Sequence, residues 1–312
     1  MAARFNVRVF ARLILVCSVC CLVPRAQGIE PNPFIDGQAE FYGVEKVEVL
    51  SSDDVERWFA LSDDGLEIFV HRTAPGSIKS VWRASRSSRS EEFGEPSLVT
   101  ELSPPVTGPT HAVRPEFLSS DGKMLVVLSF ERDGAFNRYG DPGIRYREVV
   151  GVPFRPTQYD TLVNIQDARN YERLNGLSSD GLELFFSKGR SGYATHRIYR
   201  STRHSDESPF GTPEFMPQFG GPDVEATVPR LTPDDLVLLY REGDQASTTL
   251  CAAVRPSRGA PFGSPVHYEM DIPVGHFDFT ADLEEFYVAN GDIYRVWVRS
   301  KLTRVSDWGD YR

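Results

Sequence analysis

LSDDGLEIFV (61–70), LSSDGKMLVV (118–127) and LSSDGLELFF (177–186) are three copies of one pattern. LTPDDLVLLY (231–240) is a fourth, and FTADLEEFYV (279–288) a worn fifth. The copies start 57, 59, 54 and 48 residues apart, a spacing that marks a solenoid, propeller or array rather than a single irregular core. The run after each S-x-D-G core is short, continuous and rich in aromatic and branched residues, which reads as a strand buried on both faces. An Asp-Gly step between two such runs is a strong hairpin signal, because glycine accepts the positive φ of the tight turn. The aspartate column holds in all five copies as Asp64, Asp121, Asp180, Asp234 and Asp282. The glycine column ends in Asp235 and Leu283, and since leucine resists positive φ a differently shaped fifth turn is expected.

A second landmark follows each hairpin. WRASR (82–86), YRSTR (199–203), CAAVR (251–255) and WVRSK (297–301) place a base four residues after a large or apolar one. Eleven residues after each first residue stands an aromatic: Phe93, Phe210, Phe262 and Trp308. Phe210 and Phe262 lie in P-F-G-x-P, and PFRP (153–156) is a relative in the second repeat. These features predict a third strand, a corner pinned by a buried aromatic, and a fourth strand such as 96–102 or 159–165. Four strands per repeat make a propeller blade. The chain stops too early to give the fifth repeat its own fourth strand, and residues 45–51 supply a spare one. The expectation is an all-β propeller of five four-stranded blades, with an N-terminal strand closing the last and an irregular sixth blade as the alternative. Closure removes an edge that would invite aggregation.

The L-S-x-D-G-x-x-L-x-F cores, the I-Y-R-S-T-R third strand and the P-F-G-x-P corners together resemble the WD40-like repeat of TolB-type periplasmic propellers. The resemblance covers residues 45–312 and implies the fold. It does not imply one activity, since similar propellers bind proteins or sugars, and some related ones are enzymes.

Residues 1–28 have the layout of a secretory signal: Arg4, Arg8 and Arg12, then eleven apolar residues from 13 to 23, then a small-residue cleavage site at Ala26-Gln27-Gly28. A soluble, secreted or periplasmic protein is expected, with residues 29–44 as an arm and 45–312 as one propeller domain. Three of the four cysteines lie within the signal, leaving Cys251 as a buried thiol with no disulfide partner. Without the signal's four arginines, 30 basic residues face 44 acidic ones, a balance that disfavours nucleic acid and anionic membranes. A monomer without membrane insertion is expected, with a protein or saccharide as partner and no cofactor or metal.

No nucleophile elbow, phosphate loop or zinc helix is present. The five turn aspartates are expected to cap their own turns. Four residues before each copy stand Arg57, Arg114, Arg173, Thr227 and Gly275. A propeller's innermost strands surround its channel, so the three arginines and His276 are candidate ligands for a carboxylate or phosphate. The competing reading pairs them with Glu56, Glu116, Glu172 and Glu225. His111 lies near the same entrances. The connections 131–144 and 188–197 would form a loop face for a partner. The functional expectation is a non-catalytic binding propeller. The alternatives are a glycan hydrolase or lyase using Glu56, Glu116, Glu172 or Asp278 in the channel, and a structural envelope component.

Overall fold

Each S-x-D-G core folds as the turn between two antiparallel strands, and the bonds holding it repeat almost unchanged. The computed structural model describes residues 32–52, 56–74, 78–102, 111–133, 136–155, 170–190, 196–205, 208–220, 224–243 and 247–301. In the first turn Asp64 accepts hydrogen bonds from the Ser62 hydroxyl at 2.6 Å and the Leu66 N–H at 2.9 Å. The Ser62 oxygen in turn accepts from the Glu67 N–H at 2.8 Å. Asp121, Asp180, Asp234 and Asp282 make the same two bonds. The carboxylates are thus spent on their own turns, as expected of this column. The fifth turn corrects the expectation of a different shape. Leu283 adopts φ 62°, close to the 71° of Gly65, and closes the same bond to Thr280. Its side chain is buried, and about 1.5–3 kcal/mol of burial offsets the roughly 1–2 kcal/mol cost of a left-handed residue.

Five sheets result. After β1 (Ala39–Lys46), sheet 1 contains β2 (Phe59–Leu61), β3 (Glu67–Ala74), β4 (Ile78–Ser85) and β5 (Ser97–Leu98). Sheet 2 contains β6 (His111–Leu118), β7 (Met124–Asp133) and β8 (Phe136–Tyr146). Sheet 3 is β9 (Asn170–Leu177), β10 (Glu183–Arg190), β11 (Arg197–Thr202) and β12 (Glu214–Phe215). Sheet 4 is β13 (Ala226–Leu231), β14 (Val237–Gly243), β15 (Thr248–Val254) and β16 (Val266–Tyr268). Sheet 5 joins β17 (His276–Phe279), β18 (Glu285–Asn290) and β19 (Asp292–Ser300) to β1. The fold is an all-β propeller. Four sheets have four strands, against the five expected; the second has three among the described residues, and 159–165, the expected fourth strand, lies outside them. The innermost strands β2, β6, β9, β13 and β17 each touch the next, and β17 touches β2.

The closing strand is also corrected. It is Ala39–Lys46, paired from Ala39↔Ser300 to Lys46↔Tyr294, and not residues 45–51, of which Glu48–Leu50 form a 3-10 turn. The arm expected over 29–44 therefore ends in the sheet. Phe34 is 1 % exposed, with its ring 5.3 Å from Tyr268 and 5.8 Å from Phe286. An anchoring aromatic in this stretch was not anticipated, because a single Phe among Asn, Pro and Gly carries no periodicity. The connection 131–144 is likewise no open loop: β7 and β8 run on as a hairpin to the pair Asp133↔Phe136.

The bases after the third strands join neighbouring sheets. Arg86, Arg147, Arg203 and Arg255 each donate from Nε to the carbonyl of Gly65, Gly122, Gly181 and Asp235 respectively. Their guanidinium groups lie 4.7, 4.9, 4.7 and 4.8 Å over Phe93, Phe154, Phe210 and Phe262. Three continue to a glutamate of the preceding sheet: Arg86 to Glu285, Arg147 to Glu67 and Arg255 to Glu183. Lys301 does not occupy this position in sheet 5; Val298 does, donating its N–H to Glu284 as Arg86 donates to Leu66. The tight β18–β19 hairpin shifts the count, so that Trp297 pairs with Glu285 where Ser85 pairs with Glu67. Val298 packs in the same apolar cluster as Val237, which stands where sheets 5, 1 and 3 carry Glu285, Glu67 and Glu183 and sheet 2 carries Met124. Base and acid are lost together, and an apolar contact takes their place. Trp308 lies outside the described residues.

Candidate functional site

Bulges in three innermost strands decide what faces the channel. In β6 the pairing skips Glu116 (Pro115↔Val127, Phe117↔Val126), and in β9 it skips Asn175 (Gly176↔Phe185, Leu174↔Phe186). In β13 it skips Val228 and Pro229, with Val228 at φ 56°. A bulge re-aims a side chain and gives up ladder bonds to do so. These residues reach across to one another: the Asn175 amide donates to the Glu116 carbonyl at 2.6 Å, and Arg230 Nη1 donates to the Asn175 carbonyl at 3.1 Å. Arg230 also forms an ion pair with Asp278, whose carboxylate accepts the Leu61 N–H at 3.0 Å and the Phe279 N–H at 2.8 Å. Arg230 stacks 4.7 Å over Phe117 and 5.5 Å over Phe279. The network links all five innermost strands. Asn175 and Arg230 went unnoticed in the sequence because a bulge leaves no mark in the repeat.

The same bulges shift the column of candidate residues. Arg114 pairs with Leu128, Arg173 with Ser187 and Thr227 with Arg241, and the residues level with them in the unbulged strands are Trp58 and His276. Arg57 and Gly275 stand one residue further out. Arg114 is 1 % exposed, ion-paired to Glu116 and 4.6 Å over the Trp58 ring. His276 is buried and donates from Nε2 to the Phe59 carbonyl at 2.8 Å. The side chains of Arg173, Glu172 and His111 lie outside the described residues, though their strands are placed.

At this end of the channel opens a pocket of about 290 Å³ lined by Arg57, Trp58, Arg241, Thr248 and His276, with the backbone around Gly275 and Gly291. No carboxylate is among its described lining residues. Arg241 is held from behind by Glu225 at 3.1 Å, whereas Arg57 is exposed and has no ion pair among the described residues. Its neighbour Glu56 is instead buried, bonded to Ser52 and 3.7 Å from Arg72.

At the turn end a cavity of about 700 Å³ meets Asp63, Phe117, Arg230, Asp235 and Phe279. Burial pushes the Asp63 carboxyl up to about 6, with Arg230 pulling against it and Asp278 adding to it. Burial also pushes Asp278 up, against Arg230 and its two backbone donors. The three described acids expected as hydrolase candidates, Glu56, Glu116 and Asp278, are each at most 1 % exposed and each engaged by an arginine. A general acid or base must reach the proton it transfers, and these do not face solvent.

No known family model and no curated protein matches the chain. Solved structures share its fold. An endo-arabinase from Bacteroides thetaiotaomicron is 13% identical, over 80% of this chain and 95% of that one, with a TM-score of 0.52. A thermostable family-43 glycoside hydrolase is 12% identical over 80% and 91%, with a TM-score of 0.49. TolB from Acinetobacter baumannii is 14% identical over 80% of this chain, with a TM-score of 0.39, and this chain spans 56% of it. The endo-arabinase likeness bears on the fold alone and not on activity.

Proposed function

We propose that this protein is a non-catalytic, five-bladed binding propeller, the three-stranded sheet being its fifth blade. Its channel takes a carboxylated or phosphorylated group, as on an acidic saccharide, at the end where the innermost strands begin. The observation that carries the reading is Arg57, a guanidinium without a compensating acid among the described residues, in a pocket shared with Arg241, Trp58 and His276. An arginine fork matches a carboxylate or phosphate with two hydrogen bonds, and an indole face suits the apolar side of a sugar ring. The pocket lies near the lower end of the roughly 300–1,000 Å³ usual for ligand sites, which suits one terminal residue rather than a chain. Arg114 and His276, both buried, brace the walls, and Arg173 is assigned to the same level by its strand register. Residues 1–28 are read as the export signal, so the ligand is met in the periplasm or outside the cell.

Calorimetric titration of galacturonate and of inorganic phosphate into the mature chain tests this, at low and high salt, with Arg57→Ala alongside. Arg57 is exposed, so the variant keeps the fold. Binding that weakens with salt and is lost in the variant is the expected result. Equal binding by both proteins, or none by either, overturns the reading.

A further inference from the structure

Sheet 4 differs from its neighbours at one point on three adjacent strands. On β14, β15 and β16 it carries Glu242, Cys251 and His267, with Cys251 paired to Tyr240 on one side and to His267 on the other. The equivalent positions hold Arg72, Trp82 and Leu98 in sheet 1. They hold Lys188, Tyr199 and Phe215 in sheet 3, and Asn290, Tyr294 and Lys46 in sheet 5. In these three sheets, then, the spot is an aromatic flanked by bases, amides or apolar groups, and in sheet 2 it is Gly143, paired with Val127. In sheet 4 all three positions change together to residues that ligate metals.

The geometry of the three is that of a ligand set. The Cys251 Sγ lies 3.6 Å from Glu242 Oε2, the His267 Nε2 lies 2.8 Å from the same oxygen, and all three atoms fall within 4.8 Å of one another. Tetrahedral zinc with bonds of about 2.0–2.3 Å sets its ligand atoms roughly 3.4–3.6 Å apart, so the His267–Glu242 contact must open by about half an ångström, and His267 must settle against Cys251, from which it lies within 4.8 Å. His267 is largely exposed and can make that movement, while Cys251 is fully buried beneath it. We propose that Glu242, Cys251 and His267 bind one zinc ion through carboxylate oxygen, thiolate sulfur and imidazole Nε2, leaving the fourth position to solvent water. The thiolate selects against magnesium and calcium, and the mixed sulfur, nitrogen and oxygen set suits zinc. Binding breaks the Cys251 S–H bond, forms the Zn–S bond and releases one proton to solvent. Because the ligating thiol must lose its proton, affinity rises with pH. The ligand pocket at Arg57 does not enter this argument, so the two proposals stand or fall separately.

The test is titration of the untagged, metal-free mature chain with Zn²⁺, and with Co²⁺ as a chromophore. The expected result is one equivalent bound, with proton release, and a cobalt complex showing a near-ultraviolet thiolate charge-transfer band and tetrahedral visible bands. Cys251→Ser should abolish the charge-transfer band. His267→Ala, at an exposed site where folding is unaffected, should weaken zinc by more than the roughly tenfold that loss of even an outer-shell partner costs. Absence of zinc binding, a cobalt complex without the sulfur band, or unchanged affinity in His267→Ala would overturn the proposal.

Discussion

Arg255→Val in sheet 4 removes one of the inter-sheet arginines and should cost about 3–5 kcal/mol, the range for breaking a buried ion pair by deleting one partner. Arg255 is 2 % exposed and donates to the Asp235 carbonyl at 2.7 Å and to Glu183 at 2.7 and 3.3 Å, over the Phe262 ring. Its loss leaves a buried carbonyl without its donor and Glu183 with Arg200 alone, at 2.7 Å, which places the cost toward the lower end. The molecule carries its own control. Where Val298 replaces the arginine, Val237 replaces the acid, and both sit in the apolar core. Adding Glu183→Val to Arg255→Val should therefore recover a large part of the loss, since an apolar pair of matched shape is often as stable as a buried ion pair. Urea unfolding of the two single variants, the double variant and the parent completes the cycle. A single-variant cost below about 1 kcal/mol, or strictly additive losses, would refute the view that these arginines couple the sheets.

Phe34→Ala should destabilise by roughly 3–5 kcal/mol, as emptying a buried aromatic site does, with thermal denaturation as the readout; a neutral result would remove the N-terminal anchor. Phe210→Ala should show a loss of the same order in the same assay, because Phe210 is buried beneath Arg203. Asp63 gives a pH dependence. Its folded carboxyl, near 6, is protonated more readily than in the unfolded chain, so its own contribution to stability is greatest below about pH 4 and falls as pH rises to about 6, by about 3 kcal/mol at most. Asp63→Asn should flatten that slope and raise stability at pH 7, and an unchanged slope would show that the charge is solvated. Leu283→Gly exchanges backbone strain for lost burial and should shift stability by no more than about 2 kcal/mol either way. A larger loss would mean that the side chain does more than fill space.

The repeat made the turns, the hairpins and the aromatic corners legible, because each depends on residues close in sequence. Ser62, Asp64 and Gly65 determine their own turn wherever it sits in the chain. The phase of sheet 5 was not legible, since counting from Trp297 assumes a connection that the Asn290–Asp292 hairpin does not have. The closing strand was misplaced for a related reason. AEFYGVEK alternates poorly and has a bulge between Tyr42 and Val44, whereas EKVEVLS alternates well but only its first two residues are in the strand, and Glu48–Leu50 form a turn. The channel was the least legible region. A column drawn from equal sequence offsets sets Arg57 level with Arg114, but the extra residues Glu116, Asn175 and Val228-Pro229 displace three of the five strands.

Those displacements are where the scaffold departs from its own symmetry, and each has a cost. A bulge gives up ladder bonds, and a β-branched residue such as Val228 at positive φ is strained. A repeat under selection for stability alone would keep its strands regular, as Phe59–Leu61 is. What the irregular strands gain is a set of polar bonds in the middle of the channel, Glu116 with Arg114, Asn175 with Glu116 and Arg230, and Arg230 with Asp278. Those bonds engage the described interior acids Glu116 and Asp278 and so separate the environments at the two ends. At the turn end Asp63 titrates near 6, an environment that resists negative charge through burial and through the neighbouring Asp278. At the other end Arg57 meets no acid among the described residues. On the reading proposed above, an anion approaching this acidic molecule meets Arg57 at the strand entrances, while the described interior carboxylates Glu116 and Asp278 stay engaged in the network of the bulged strands.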